Sequence, residues 1–291
     1  MSTAPRASEL IRNADGSIYH LHLLPEQVAD TIITVGDPDR VSQVSQHFDR
    51  ITFKQQKREF ITHTGYIGNK HLTVISTGIG PDNIDIVFNE LHALRQFDFQ
   101  GHHAINVTSP YTIIRFGTSG AIQSDIPVGT LLMSAQAIGI DNVMHFYQYT
   151  PTPDEDALLE QFKMQCYFHH TIHPYIAGAH SELLERFASS FQSGITLTAP
   201  GFYAPQGRAV NLPVSHPAFY DDITAFRYQD RRITNFEMET ATMYGLARLL
   251  GHKCISLNVL LANRANGEFI ADPTAAVEKL IVAGLEGITR S

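Results

Sequence analysis

In the stretch NFEMETATMYGLARLLG, Asn235 to Gly251, two carboxylates, Glu237 and Glu239, flank a methionine at the start of a helical pattern. Glu239, Met243, Leu246 and Leu250 fall at i, i+4, i+7 and i+11, so on a helix the second glutamate begins the apolar stripe. A carboxylate on a buried face needs a partner. The first turn of a helix offers one in its unpaired N–H groups and the positive end of its dipole, so helix capping is the first chemistry to consider.

Two other stretches are suited to an oxyanion. In GDPDRV, Gly36 lets the backbone approach closely, Pro38 suits a first helical turn, and Arg40 sits where a helix N-terminus also offers N–H groups. In RFGTSG, Arg115 precedes an expected turn, Gly117-Thr118-Ser119-Gly120. Its guanidinium can fork two N–H bonds onto an anion while the Thr118 and Ser119 hydroxyls and the turn amides close the other side. Taken singly, each string reads equally well as a glycine turn carrying a surface arginine.

These residues need elements to hold them. Short β-branched runs alternate with helical patterns: TIITV then RVSQVSQHF, HLTVIST then NIDIVFNELHALRQF, CISLNVLLA then PTAAVEKLIVAGLEGI. Such alternation predicts α/β layers, in which ligands collect beyond the carboxyl ends of strands. GDPDR follows TIITV, and Asn263-Arg264 follows SLNVLLA. No repeat or low-complexity linker interrupts the chain, and the proline-rich TPTPDED near residue 150 reads as a loop, so residues 1–291 are expected to form a single domain.

Composition narrows the function. The 291 residues are 43% hydrophobic and 17% charged, ordinary values for a globular protein. A formal charge of −8 excludes the basic surface that nucleic acid or an anionic membrane would require. Two cysteines, Cys166 and Cys254, form no disulfide framework or metal spacing, and neither an apolar leader nor an apolar run long enough to span a bilayer is present, so the cytoplasm is the expected compartment. FHHTIHP, with His169, His170 and His173, lacks a carboxylate or cysteine at usable spacing, and no metal is expected there.

The strings GDPDRV, KREF, STGIG, RFGTSGAIQ, GFYAPQGR, NFEMETAT and Asn263-Arg264, in this order from near residue 18 to near 268, resemble the landmarks of the uridine phosphorylase branch of the nucleoside phosphorylase family. The resemblance implies a three-layer αβα sandwich around a mixed central sheet. It also implies an enzyme, a pentosyltransferase of nucleoside salvage in which inorganic phosphate attacks the ribose C1′ of a pyrimidine nucleoside and releases the base. Phosphate would be held by Gly36, Arg40, Arg115 and Thr118, with Arg58 of KREF reaching in from a neighbouring subunit. Ribose would be held by Glu239 and Thr118, with Met238 packed on the sugar and His20 crossing from the neighbour. The base would meet Ser119, Gly120 and Phe202, with Gln206 and Arg208 bonded to the uracil edge and Glu237 nearby. Arg115, Glu239, Arg208 and Gln206 would carry the catalysis. A ribose diol donating two hydrogen bonds is then a second partner for the acid at Glu239.

Purine relatives usually carry an aspartate shortly after the last strand to protonate the base. Here LANRANGE has none before Asp272, which favours a pyrimidine over the alternative of a purine nucleoside phosphorylase. A hydrolytic nucleosidase would dispense with the phosphate arginines, all present here. A nucleoside-binding protein without turnover is the reading from another class. Ala262 departs from the bulkier apolar residue often found there in the family, which on this resemblance would leave room in the base pocket. Phe97 to Thr112 and Pro153 to His180 depart from the family pattern and read as insertions. The resemblance implies no cofactor beyond phosphate as co-substrate, a monovalent cation near Glu59 in some relatives, and a homo-oligomer with sites shared across a dimer, up to a hexamer of three dimers.

Overall fold

The computed structural model describes residues 5–98, 103–104, 109–166 and 172–290. They divide into two units, Met1–Ile114 with Leu250–Lys253, and Arg115–Leu249 with Cys254–Ser291.

In the first unit the β-branched run Thr31–Val35 (β1) is buried from its second residue on and leads through Gly36 into helix α1 (Asp39–Ser45). Strands β2 (Arg50–Lys57) and β3 (Phe60–Ile67) form an antiparallel hairpin, and β3 pairs antiparallel with β4 (Lys70–Ser76). β1 pairs parallel with β4, with Thr31 opposite Leu72 and Val35 opposite Ser76. The sheet order is therefore β1-β4-β3-β2, mixed in direction. The carboxyl ends of β1 and β4 lie together, so their following loops meet: a Cβ at Gly36 would stand 3.5 Å from the Gly78 carbonyl. Gly78 (φ +71°) and Gly80 (φ +101°) take backbone conformations open to glycine, and a Cβ at Gly78 would lie 2.4 Å from the Asn83 amide. The loop ends at α2 (Pro81–Gln96), started by proline and buried through Ile84, Val87, Phe88, Leu91 and Leu94. A two-stranded ribbon follows, β5 (Phe97–Asp98) with β6 (His103–Ala104). The chain then enters β7 (Thr112–Ala121).

The second unit takes over within β7. It adds β8 (Leu131–Gly139), α3 (Pro153–Gln165), β9 (Tyr175–Gly178), α4 (Ser181–Phe187), β10 (Gln192–Thr198), α5 (Phe219–Ala225), β11 (Ile233–Glu237), α6 (Thr240–Leu249), β12 (Lys253–Asn263), β13 (Glu268–Phe269) and α7 (Pro273–Thr289). Pairing runs β12-β8-β10-β11-β7, antiparallel at its ends and parallel in the middle, and β7 also pairs with β12. Five strands thus close into a ring. On the sheet's outer side Ile138, Leu158, Phe162, Leu197, Phe226 and Phe236 share one apolar cluster. Helix α7 buries Val277, Leu280, Ile281, Leu285 and Ile288 at helical spacing, and Gly284 admits Phe116, whose ring would lie 2.3 Å from a Cβ there.

Each unit is thus a mixed sheet with flanking helices, in line with the α/β reading. Two local expectations are corrected. The acidic part of TPTPDED is the first turn of α3, because Thr152 and Glu155 form a capping box: Glu155 Oε2 accepts the Thr152 N–H at 2.7 Å and Thr152 Oγ1 accepts the Glu155 N–H at 3.4 Å. The expected turn at Gly117-Thr118-Ser119-Gly120 is continuous strand, β7. Of the segments read as insertions, 99–102, 105–108 and 167–171 lie outside the described residues, and with them His169 and His170 of the histidine string. Among the described residues no group of histidine, cysteine and carboxylates is arranged to hold a metal, and no helix is long and apolar enough to cross a membrane.

Candidate active site

The two glutamates divide the roles left open by their spacing. Glu237 closes β11 and caps α6: its carboxylate accepts the N–H of Glu239 at 2.9 Å, the N–H of Thr240 at 2.9 and 3.1 Å, and the Thr198 hydroxyl at 2.5 Å. Glu239 is the one released for other chemistry. Its Oε2 accepts from Arg115 Nη2 at 2.6 Å, and the same Nη2 stands 3.5 Å from Glu237. All three side chains are buried. Burial alone would lower the Arg115 pKa, but the charges of Glu239 and Glu237 outweigh it and raise the pKa above its ordinary value, so the guanidinium is a fixed charge. Met238 lies between the two acids, half-buried.

Gly117 makes this geometry possible by lacking a side chain. Arg115 and Gly117 share a face of β7, and a Cβ at 117 would fall 1.7 Å from Arg115 Nη1 and 2.9 Å from Asn258 Oδ1. The guanidinium therefore lies flat along its own strand. Ser119, two residues further on the same face, is held by Asn235 Nδ2 at 3.0 Å. By alternation Thr118 and Gly120 stand on the other face, both half-buried. Gly120 lies beside β12, 4.0 Å from the Ala262 carbonyl measured at its Cβ position.

Phe202, Gln206 and Arg208 come together in the loop after β10. Arg208 Nη1 donates to the Phe202 carbonyl at 2.6 Å and to Gln206 Oε1, and its guanidinium lies 3.9 Å over the Phe202 ring. With Oε1 held by Arg208, the buried Gln206 amide has its NH₂ oriented the other way. A residue that the motif reading quoted without a role, Arg264, completes the group: it follows β12, donates from Nη1 to the Gln206 carbonyl and stacks 4.3 Å over Tyr220. Its place after a strand end was the sequence signal for it. Burial, and secondarily the Arg264 charge, pull the Arg208 pKa down to about 10; burial lowers that of Arg264 too. Both stay cationic at neutral pH. Asp272, the first aspartate after β12, caps α7 through the Ala275 N–H at 2.9 Å.

The remaining residues belong to the first unit. Arg40 is buried in the first turn of α1, next to the Gly36 loop. Arg58 and Glu59 are the two-residue tip of the β2–β3 hairpin, and Arg58 is exposed with φ +54°, a left-handed conformation that costs about 1–2 kcal/mol for a residue with a Cβ. Retaining an arginine there points to a use for its side chain. His20 is nearby: the Tyr19 ring packs edge-on against it at 4.8 Å and lies 5.9 Å below the Arg58 guanidinium. Glu90 of α2 fixes His20, accepting from its backbone N–H at 3.0 Å and contacting Nδ1 at 2.6 Å. Glu59 packs beside Gly78, its Cγ 3.2 Å from the Cβ position.

The chain is similar to known proteins over nearly its whole length. A family model described as the phosphorylase superfamily matches residues 30–283. A uridine phosphorylase of Thermococcus kodakarensis is 30% identical over 266 residues, 90% of this chain and 83% of that protein. One from Haemophilus influenzae is 26% identical over 264 residues, 88% and 90% of the two chains. The crystal structure of a Trypanosoma brucei nucleoside phosphorylase that shows uridine phosphorylase activity matches with a TM-score of 0.90 at 28% identity, covering 97% of this chain and all of that one.

Proposed function

The chain belongs to the phosphorylase superfamily, and from that membership we propose that it is a uridine phosphorylase, converting uridine and inorganic phosphate to uracil and ribose 1-phosphate. The observation that carries the reading is the buried Arg115–Glu239 pair, a fixed cation and a carboxylate 2.6 Å apart. In the free enzyme the two are paired with each other. Phosphate can take over the guanidinium and the ribose diol the carboxylate, so both substrates are recognised by groups already in place.

The motif resemblance assigns Arg115, Thr118, Gly36, Arg40 and Arg58 to phosphate, Glu239, Met238, Thr118 and His20 to the ribose, and Ser119, Gly120, Phe202, Gln206 and Arg208 to the base; of these, Arg115 and Ser119 share one face of β7 and Thr118 and Gly120 the other. Glu237, assigned to the base as well, serves through the cap that orients Glu239. As the C1′–N1 bond breaks, its electron pair leaves with uracil and the sugar becomes oxocarbenium-like. Phosphate under C1′ stabilises the sugar and forms the new C1′–O bond; Arg208, with Arg264 behind it, stabilises the departing uracil anion, which then takes up a proton. Uracil release from uridine with and without phosphate tests the proposal. Strict phosphate dependence with ribose 1-phosphate as co-product is expected, and equal release in its absence defeats it.

A neighbouring copy completes the site on this reading, through His20 and Arg58. Arg58→Gly relieves the left-handed backbone, so the variant is expected to be as stable as the parent or up to about 1 kcal/mol more so in urea unfolding. Its activity falls instead. Mixed with inactive Glu239→Ala chains, it regains part of the activity, since a hybrid dimer contains one site free of both changes. Absence of recovery after verified subunit exchange counts against shared sites.

A further inference from the structure

Inside the ring formed by β7, β12, β8, β10 and β11, one polar side chain from each strand after the first continues a hydrogen-bonded chain that begins and ends on β7. Arg115 Nη1 donates to Asn258 Oδ1 at 2.9 Å; Asn258 Nδ2 lies 3.5 Å from Ser134 Oγ; Ser134 Oγ lies 2.5 Å from Thr196 Oγ1; Thr196 Oγ1 donates to Asn235 Oδ1 at 2.9 Å; Asn235 Nδ2 donates to Ser119 Oγ at 3.0 Å. Ser134, Thr196, Asn235 and Asn258 are each 0% exposed. Four polar side chains with no access to water are an expensive way to fill a core unless their order matters.

The direction of the chain is fixed by what each group can do. Arginine only donates, so Asn258 meets it with its carbonyl oxygen and turns its NH₂ towards Ser256 Oγ at 3.2 Å and Ser134 Oγ at 3.5 Å. The Thr196 proton goes to Asn235 Oδ1, so Thr196 accepts from Ser134, and Ser134 in turn accepts from Asn258. Asn235, its oxygen accepting from Thr196 and also from Thr234 Oγ1 at 2.8 Å, donates to Ser119. Every link runs the same way, from the guanidinium outward, and each bond polarises the next. The Ser119 oxygen is occupied as an acceptor. Its proton is the one hydroxyl hydrogen of the chain left to donate beyond it.

We propose that this one-way chain, through Asn258, Ser134, Thr196 and Asn235 as positioning residues, sets the Ser119 hydroxyl as a hydrogen-bond donor to the departing base and ties that donor to the arginine that binds phosphate. The inference rests on the reading that Ser119 faces the base. No proton is transferred along the chain; the donor is oriented and its acidity increased while the C1′–N1 electron pair moves onto uracil.

A double-mutant cycle tests it. Ser119→Ala is expected to lower kcat/KM for uridine by about tenfold or more, the loss of one donor at a developing charge. Thr196→Val, which keeps shape but can neither donate nor accept, should lose about tenfold when Ser119 is present and less than about twofold when it is alanine, whereas Thr196→Ser should stay near the parent. Asn235→Asp offers only acceptors, draws the Ser119 proton inward, and should match Ser119→Ala while retaining the fold, checked by its thermal midpoint. With 5-fluorouridine, whose fluorine already stabilises the leaving anion, all these losses should shrink together, which a purely structural role would not produce. Ser119→Ala with full activity overturns the base-contact reading and the inference with it. A damaging Ser119→Ala combined with a Thr196→Val loss that is undiminished in its background, or losses equal for uridine and 5-fluorouridine, overturns the inference alone.

Discussion

Arg115→Ala is expected to lower phosphorolysis by about 10²–10³ in kcat, because it removes a preorganised cation from a transition state that gathers phosphate charge. It should also destabilise the fold by about 3–5 kcal/mol, the usual cost of removing one partner of a buried ion pair. The residue bearing that cost is Glu239. Glu237 keeps three backbone N–H contacts and the Thr198 hydroxyl when the arginine goes, whereas Glu239 loses its 2.6 Å partner in a buried position. Adding Glu239→Gln removes the charge that has lost its cation: the double variant should recover part of the stability at neutral pH and none of the activity. Urea unfolding of the parent and the variants at neutral pH, with phosphorolysis assayed alongside, checks both halves. A double variant no more stable than Arg115→Ala would show that the pair is not what the fold depends on.

Legibility in the sequence followed the range of the interactions. β1, α1, β4, α2, β12 and α7 fall on the six runs whose periodicity marks them, since apolar alternation and helical spacing are local properties. The glycines of RFGTSG read as a turn because glycine's commonest local use is backbone freedom. Gly117 is instead required by a neighbour on its own strand, the Arg115 guanidinium lying where a Cβ would be, and only the folded strand reveals that clash. The two acids of NFEMET separate for a similar reason. Both sit where a helix cap could be, but the carboxylate at the strand end reaches the free N–H groups of residues 239 and 240, leaving the second acid to face Arg115. Arg264 and the buried chain of Asn258, Ser134, Thr196 and Asn235 depend on pairing between strands far apart in sequence, and the polar residues among VLL, TLT and NFE carry no local mark of their common interior.

The base site should discriminate by hydrogen-bond polarity. Arg208 Nη1 donates to Gln206 Oε1, and this fixes the amide so that its NH₂ faces away from Arg208, towards an acceptor. Beside it stand two guanidiniums, Arg208 with its pKa lowered only to about 10 and Arg264 bonded to the Gln206 carbonyl. The site is therefore rich in donors and matches an edge bearing carbonyl oxygens. Uracil and thymine offer two, on either side of an N3–H; cytosine replaces the 4-carbonyl by an amino group and the N3–H by an acceptor, which brings donor against donor at the 4-position. A site built for such bonds can reject an analogue that breaks them by about 10⁴-fold, because buried polar groups are left unpaired. Uridine is accordingly expected to exceed cytidine by that order in kcat/KM, and Gln206→Ala should lower uridine turnover without creating comparable activity on inosine. The 5-methyl group meets a different constraint. Gly120 and the half-buried Ala262 are small residues side by side at the end of β12, so thymidine or 5-methyluridine should be accepted within about tenfold of the matching uracil nucleoside, the scale on which one methyl group is discriminated. Steady-state rates on uridine, cytidine, 5-methyluridine and inosine at saturating phosphate decide the matter: cytidine within tenfold of uridine would remove the polarity argument, and a preference for inosine would assign the pocket to purines while leaving Arg115 and Glu239 in their roles.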